Sequence, residues 1–251
     1  MRAILTYHSI DDFGSPISCH PDAFARHVAW LASGRVRVTT IDDLVQLPAS
    51  ADAVALTFDD GFVNFGDVAA PRLLEHGLPV IVFVVADFAG TVNSWEAGPN
   101  RTAPELPLLD WPALVRLQER GVTLGAHSLT HRDLTRLEPG ALDDEVQGCA
   151  DRMEARSGRR PTVFAYPYGR RNEASTRKVA QAFRWACTTE FRTLVTPAPP
   201  PALPRLDMYY FQQARSLDGW GTAPFEARIR VRRALRRVRT IARALAPGGC
   251  K

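Results

Sequence analysis

Two acidic residues, Asp59 and Asp60, stand side by side after the apolar run Val54-Ala55-Leu56-Thr57-Phe58 and just before Gly61. Adjacent carboxylates repel each other, and neither gains from burial unless it is paired or bound to a cation. Along a strand neighbours point to opposite sides, so at a strand end the two can take different jobs. The plain structural use of such a pair is to cap the next helix and start a turn at Gly61. The second candidate is His127-Ser128-Leu129-Thr130-His131. Two imidazoles four residues apart can face one ion from a helical turn or tight loop. Alone they would read equally well as hydrogen-bonded surface histidines. They too follow an apolar run, which would bring both elements to one rim. One carboxylate and two imidazoles make three protein ligands and leave positions open for water, the pattern of a catalytic metal site. Such an ion lowers the pKa of bound water towards about 7, and the spare carboxylate then serves as general base.

A third element, Phe164-Ala165-Tyr166-Pro167-Tyr168-Gly169, is again an apolar run entering a turn. Its backbone N–H can stabilise a developing oxyanion, and its rings can wall a pocket. Without the other two elements it would read as an aromatic strand end.

These groups need strands that end together. Apolar runs predict strands at 3–7, 53–58, 79–85, 122–126, 162–166 and 184–188. Between them, helical spacing predicts helices at 21–33, 65–76, 111–120, 140–157 and 175–183. The run 79–85 is almost wholly apolar, as for a strand buried on both faces. Gly77 and Gly121 mark helix ends. Strand–helix alternation implies a parallel sheet with helices packed on it. The candidate residues fall where strands end, the rim that carries the active site in α/β barrels. Residues 94–107 form a Pro/Gly-containing insertion near that rim, and 196–204 a Pro-rich extended connector. Trp95, in the insertion, either contacts a sugar ring or packs; Trp111 opens a helix and belongs to the core.

The three motifs in this order resemble the polysaccharide deacetylase family, the nodulation-factor deacetylase homology domain of carbohydrate esterase family four. Thr57-Phe58-Asp59-Asp60-Gly61 matches its first motif and His127-Ser128-Leu129-Thr130-His131 its second. Ala165-Tyr166-Pro167-Tyr168-Gly169 matches the third in part, and Tyr7-His8-Ser9-Ile10 is similar to the opening of one branch. The resemblance covers roughly residues 3–210. It implies a distorted, incomplete (β/α) barrel of the seven-stranded type, with Asp60, His127 and His131 holding zinc or a similar divalent ion. It implies Asp59 as catalytic base, and Tyr168 as the oxyanion donor and a wall of the acetyl pocket. The implied reaction is hydrolysis of an N-acetylated amino sugar in a glycan or glycan precursor, releasing acetate and a free amine. Hydrolysis of an N-formyl sugar or another amide, and a barrel that binds carbohydrate without catalysis, are the competing readings.

Two departures stand out. The arginine that usually pairs with the base in the third motif is Ala165 here, and Arg205 is the candidate replacement from another strand, unless it is a surface arginine. No histidine follows His131, so the family's late general acid has no counterpart. His8, at the end of the first expected strand, is the histidine placed to bind substrate or protonate the leaving amine.

The formal net charge of the 251 residues is +4, but it is unevenly spread. Residues 226–251 hold eight Arg, one Lys and one Glu, for +8, so residues 1–225 sum to −4. The basic balance is thus local, which argues against nucleic acid as a partner. The expected division is a catalytic barrel over 1–225 and a basic amphipathic tail over 226–251. Val231, Leu235, Val238, Ile241, Ala242 and Leu245 share helical spacing among arginines, which suits either an anionic membrane surface or a helix packed on the barrel with a solvated arginine face. Cys19, Cys149, Cys187 and Cys250 lack paired spacing and read as free thiols of a reducing compartment, favouring the cytoplasm. Neither a signal segment nor a membrane-length apolar run is visible. The oligomeric state is open.

Overall fold

The computed structural model describes residues 1–95, 103–195 and 202–245. The middle of the expected 94–107 insertion, most of the 196–204 connector and the last six residues of the tail lie outside the described residues.

Seven parallel strands form one sheet: β1 (Arg2–Tyr7), β2 (Ala53–Phe58), β3 (Val80–Val84), β4 (Thr123–Ala126), β5 (Val163–Ala165), β6 (Trp185–Cys187) and β7 (Leu206–Asp207). They lie in the order β7-β1-β2-β3-β4-β5-β6. A two-residue strand, Arg37–Val38, flanks the foot of β2. Every residue of β1, β2 and β3 is buried, because both faces of the sheet are covered, and their sequences are accordingly mostly apolar, with Arg2, Thr6 and Thr57 the exceptions. The helices are α1 (Pro21–Ala32), α2 (Ile41–Gln46), α3 (Ala70–Glu75), α4 (Trp111–Glu119), α5 (Pro139–Asp143), α6 (Cys149–Ser157), α7 (Glu173–Ala182) and α8 (Ala223–Leu245). One π turn leads into α3 and another joins α5 to α6, so the segments expected at 65–76 and 140–157 are helical through a bulge. Helix α7 starts on a capping box between Asn172 and Ser175, which satisfies backbone N–H groups that have no partner inside the helix.

Strand alternation sorts the core into two layers. Leu5, Leu56, Phe58, Val82, Val84, Leu124 and Phe164 face outward and pack with the helices. Ile4, Ala53, Ala55, Ile81, Phe83, Val163, Ala165 and Cys187 face the barrel interior. Helix α2 closes the foot of that interior with Ile41 and Leu44. The buried Arg2 donates to the carbonyls of Leu44 and Leu47 there, as a cation favours the C-terminal end of a helix. Neither α2 nor Arg37–Val38 was expected from the sequence, since segments this short carry too few periods to register.

The curled sheet is nearly closed by the stretch 203–207. Leu203 bridges Cys187 of β6, while Leu206 pairs with Leu5 of β1, so one segment touches both sheet edges. The result is the expected incomplete (β/α) barrel, with a thin seam, and the end of the expected connector forms that seam. Helix α8 crosses the expected boundary at 225/226: it begins at Ala223 and buries Phe225 and Ile229 in the outer core.

Candidate active site

The same alternation that builds the inner core delivers the chemistry. The interior-facing series Ala53, Ala55 and Thr57 ends on Asp59, and Ile4 and Thr6 lead to His8. Gly125 stands before His127 in β4, and a Cβ there would lie 2.5 Å from the Phe83 ring. The glycine therefore lets Phe83 fill the interior below the site. A cavity of about 110 Å³ opens above, lined by His8, Asp59, Asp60, Trp95, His127 and His131 together with Asn93, Tyr166, Tyr168 and Thr189.

Asp59 is 2 % exposed and Arg205 1 % exposed, and they are paired with bidentate geometry. Arg205 Nη1 donates to Asp59 Oδ1 at 2.6 Å and Nη2 to Oδ2 at 2.7 Å. The guanidinium is itself located by donation from Nε to the Thr188 carbonyl at 3.0 Å and lies over the Phe83 ring. Burial pushes the Asp59 carboxyl up, but Arg205, followed by His8 and His127, outweighs it and holds the group well below the usual carboxylate range. His8 Nε2 stands 3.6 Å from Asp59 Oδ2.

Asp60 breaks the alternation. Its φ of 74° turns the side chain away from the path of Asp59 and towards the histidines. Asp60 Oδ1 is buried without a hydrogen bond, 3.4 Å from His127 Nε2 and 3.5 Å from His131 Nε2. These spacings are long for hydrogen bonds. They match two donors about 2.1 Å from one tetrahedral centre, which lie roughly 3.4 Å apart. The three donor atoms all lie within 4.8 Å of one another. His127 Nδ1 lies 2.8 Å from the Ala165 carbonyl; it donates there, which leaves Nε2, on the Asp60 side, as the ring nitrogen that could ligate an ion. Burial first, and His127 next, push His131 down to about 3, so it stays neutral and able to ligate. The donor set fits a divalent cation.

The loops around this triad are strained. Asp60, Ser128, His131 and Tyr168 are four of the five non-glycine residues with left-handed φ among the described residues. Such backbone costs of order 1–3 kcal/mol per residue and persists where surrounding contacts enforce it. Ser128 Oγ accepts from the His131 N–H at 2.9 Å, closing the loop. The buried Glu145 accepts from the Thr130 N–H at 2.9 Å and also from the Thr130 hydroxyl. Gly169, at φ 67°, sits so close to Thr189 that a Cβ would lie 2.7 Å from the Thr189 nitrogen. That contact fixes the turn carrying Tyr168, whose ring meets His131 edge-on at 4.7 Å. Trp95 also packs against His131, with ring centroids 4.6 Å apart.

The family model for polysaccharide deacetylases matches residues 46–184. The chain belongs to the polysaccharide deacetylase family. It is 24% identical over 231 residues to the putative polysaccharide deacetylase YxkH of Bacillus subtilis (strain 168), spanning 90% of this chain and 75% of that one. Its fold is that of the Streptococcus pyogenes deacetylase PplD, solved in complex with acetate, with a TM-score of 0.68, 21% identity, and coverage of 82% of this chain and 91% of that one. It is equally similar in fold to IcaB from Ammonifex degensii, with a TM-score of 0.68, 21% identity and coverage of 83% and 94%. The family therefore makes this chain a carbohydrate deacetylase, a hydrolase, with an Asp-His-His group able to hold a metal.

The matched segment contains Asp59, Asp60, His127, His131 and Tyr168, whereas His8 and Arg205 lie outside it. The barrel nevertheless brings six of the expected site residues to one mouth and buries the seventh, Arg205, against Asp59. Sequence reasoning missed Glu145, Asn93 and Thr189. Glu145 alone left a trace: it is a carboxylate among Leu142, Val146 and Cys149, on the apolar face of its helix.

Proposed function

We propose that this deacetylase removes N-acetyl groups from an amino sugar in a glycan or glycan precursor, using a divalent metal, most simply zinc. The observation that carries the reading is the division of labour between neighbouring carboxylates. Asp59 is tied to a buried guanidinium, and Asp60 faces two imidazoles. A non-catalytic barrel has no use for both arrangements.

Asp60, His127 and His131 would hold the ion, which when bound polarises the amide carbonyl and acidifies water. Two imidazoles and a carboxylate also suit cobalt or nickel. Asp59 accepts the proton of the attacking water, and its ionised form is secured by Arg205. The Tyr168 turn contributes a backbone N–H to the developing oxyanion, and its ring walls the acyl group. His8, beside Asp59 and partly open to the cavity, donates the proton that the leaving amine needs. Trp95 offers a flat face at the mouth for a sugar ring.

We place the reaction in the cytoplasm. Cys19, Cys149 and Cys187 are free and buried, which suits a reducing compartment. No helix among the described residues is long and apolar enough to cross a membrane.

The test is acetate release from acetylated amino-sugar oligomers, with formate release from N-formyl analogues as the comparison. Activity should vanish with a chelator and return with a divalent ion, and Asp59→Asn should abolish it while keeping the metal. Full activity of Asp59→Asn, or formate as the favoured product, would contradict the assignment.

A further inference from the structure

Helix α8 carries two apolar stripes, and the barrel uses one of them. Phe225 and Ile229 are buried against Phe211 and Trp220. Further along, the barrel-facing positions are arginines: Arg232 lies over the Tyr210 ring, Arg233 pairs with Glu190, and Arg236 pairs with Asp207. The second stripe, Val231, Leu235 and Val238, is spaced four and three residues apart, which places it on one face. These residues are 61%, 57% and 63% exposed, and Ala234 beside them is also exposed. They account for three of the seven large hydrophobic residues most exposed among those described. Arg228 and Arg230 are exposed on either side of that face; among the described residues Arg230 pairs only with Glu226 one turn back, whereas Arg228 also lies over the Phe225 ring and donates to the Ser216 carbonyl.

We infer that this outer face of α8 docks on an anionic lipid bilayer. An apolar stripe with arginine shoulders is the form that lies in a membrane interface, with the side chains entering the acyl boundary and the guanidinium groups meeting lipid phosphates. Charge decides between occupants. Residues 226–251 carry +8, so two copies of the helix laid face to face would repel, whereas an anionic surface attracts every arginine on the shoulders. The helix also reaches the wall of the catalytic cavity: Arg236 donates to the carbonyl of Thr189, one of its lining residues. A docked α8 therefore holds the mouth near the lipid surface, where a membrane-linked amino sugar would be presented. That consequence rests on the proposed reaction, but the docking itself does not.

The experiment is co-sedimentation of the full chain with vesicles of pure phosphatidylcholine and of phosphatidylcholine containing phosphatidylglycerol. The triple variant Val231→Asp/Leu235→Asp/Val238→Asp, and separately Arg230→Glu, are run beside it. All three substituted apolar side chains are exposed, so circular dichroism and acetate release from a soluble substrate should be unchanged. The expected result is binding only to the anionic vesicles, weakened at least tenfold in both variants and by high salt. Equal binding by the triple variant would overturn the inference. So would failure of the unmodified chain to bind anionic vesicles, including the case in which the same substitutions instead dissolve a dimer seen in sedimentation velocity. Loss of acetate release with vesicle binding intact would count against the reaction and leave the docking standing.

Discussion

Arg205 and Asp59 are 146 residues apart in the chain and share two hydrogen bonds of 2.6 and 2.7 Å inside the seam of the barrel. The segment that nearly closes the sheet thus also orients the proposed base. Closure, through Leu203 and Leu206, and the orientation of the base, through Arg205, lie on one short segment.

Replacing that arginine should separate the two roles. Arg205→Met leaves a buried carboxylate without its partner, a defect that costs about 3–5 kcal/mol. Asp59 now sits below its ordinary 3.8, so its contribution to stability is full above that pH and is lost as pH falls through the depressed native value. Without Arg205 the carboxyl titrates higher, and the acid limb of the kcat/KM profile should move up in pH. Denaturant unfolding and a pH–rate profile report the two effects. An unmoved acid limb would mean that Arg205 does not tune the base. The double variant Arg205→Met/Asp59→Asn should recover much of the lost stability.

His8→Ala should lower kcat by about 10²–10⁴-fold if the imidazole transfers a proton in the rate-limiting step. Its metal content should be unchanged, because His8 is not among the three donors of the triad. An unaltered kcat/KM with full metal loading would remove His8 from the mechanism.

Glu145→Ala should loosen metal binding without touching a ligand. Glu145 holds Thr130 from both its N–H and its hydroxyl, and Thr130 lies in the tight loop between the two histidines. Partners that orient ligands in this way typically affect affinity by about 10–100-fold. Competition with a metal indicator measures it directly. A shifted metal affinity with kcat preserved at saturating metal separates positioning from general loss of fold.

His27 offers a test of stability against pH away from the site. It is buried between the Tyr7 hydroxyl and the Phe211 carbonyl, and burial lowers it from 6.5 to about 4. The unfolded chain binds the proton more readily, so stability is full above 6.5 and is lost as pH falls towards 4. One unit corresponds to about 1.4 kcal/mol, so roughly 2 kcal/mol should disappear between pH 7 and pH 5. Urea unfolding of His27→Gln at the two pH values should show a difference smaller by that amount. An equal difference in both proteins would refute the assignment.

Much of this molecule is local and therefore readable along the chain. Runs such as 53–58 and 79–85 must be buried on both faces, and alternation along β2 and β4 sends Asp59 and His127 into one mouth. The ligand triad follows because a strand end and a five-residue loop carry all of it. The identity of the base's partner is a different kind of fact. The chain has 31 Lys and Arg residues, and no periodicity distinguishes Arg205 from a solvated one. It becomes Asp59's partner only because Leu203 and Leu206 tie opposite sheet edges together and leave Arg205, one of the two residues between them, facing inward. The turn of Asp60 towards the histidines likewise depends on a left-handed backbone that packing enforces against intrinsic preference. Sequence determined which chemical groups stand at the rim, through short-range alternation and burial. Tertiary structure alone decided which of them meet, because those contacts depend on how the sheet curls.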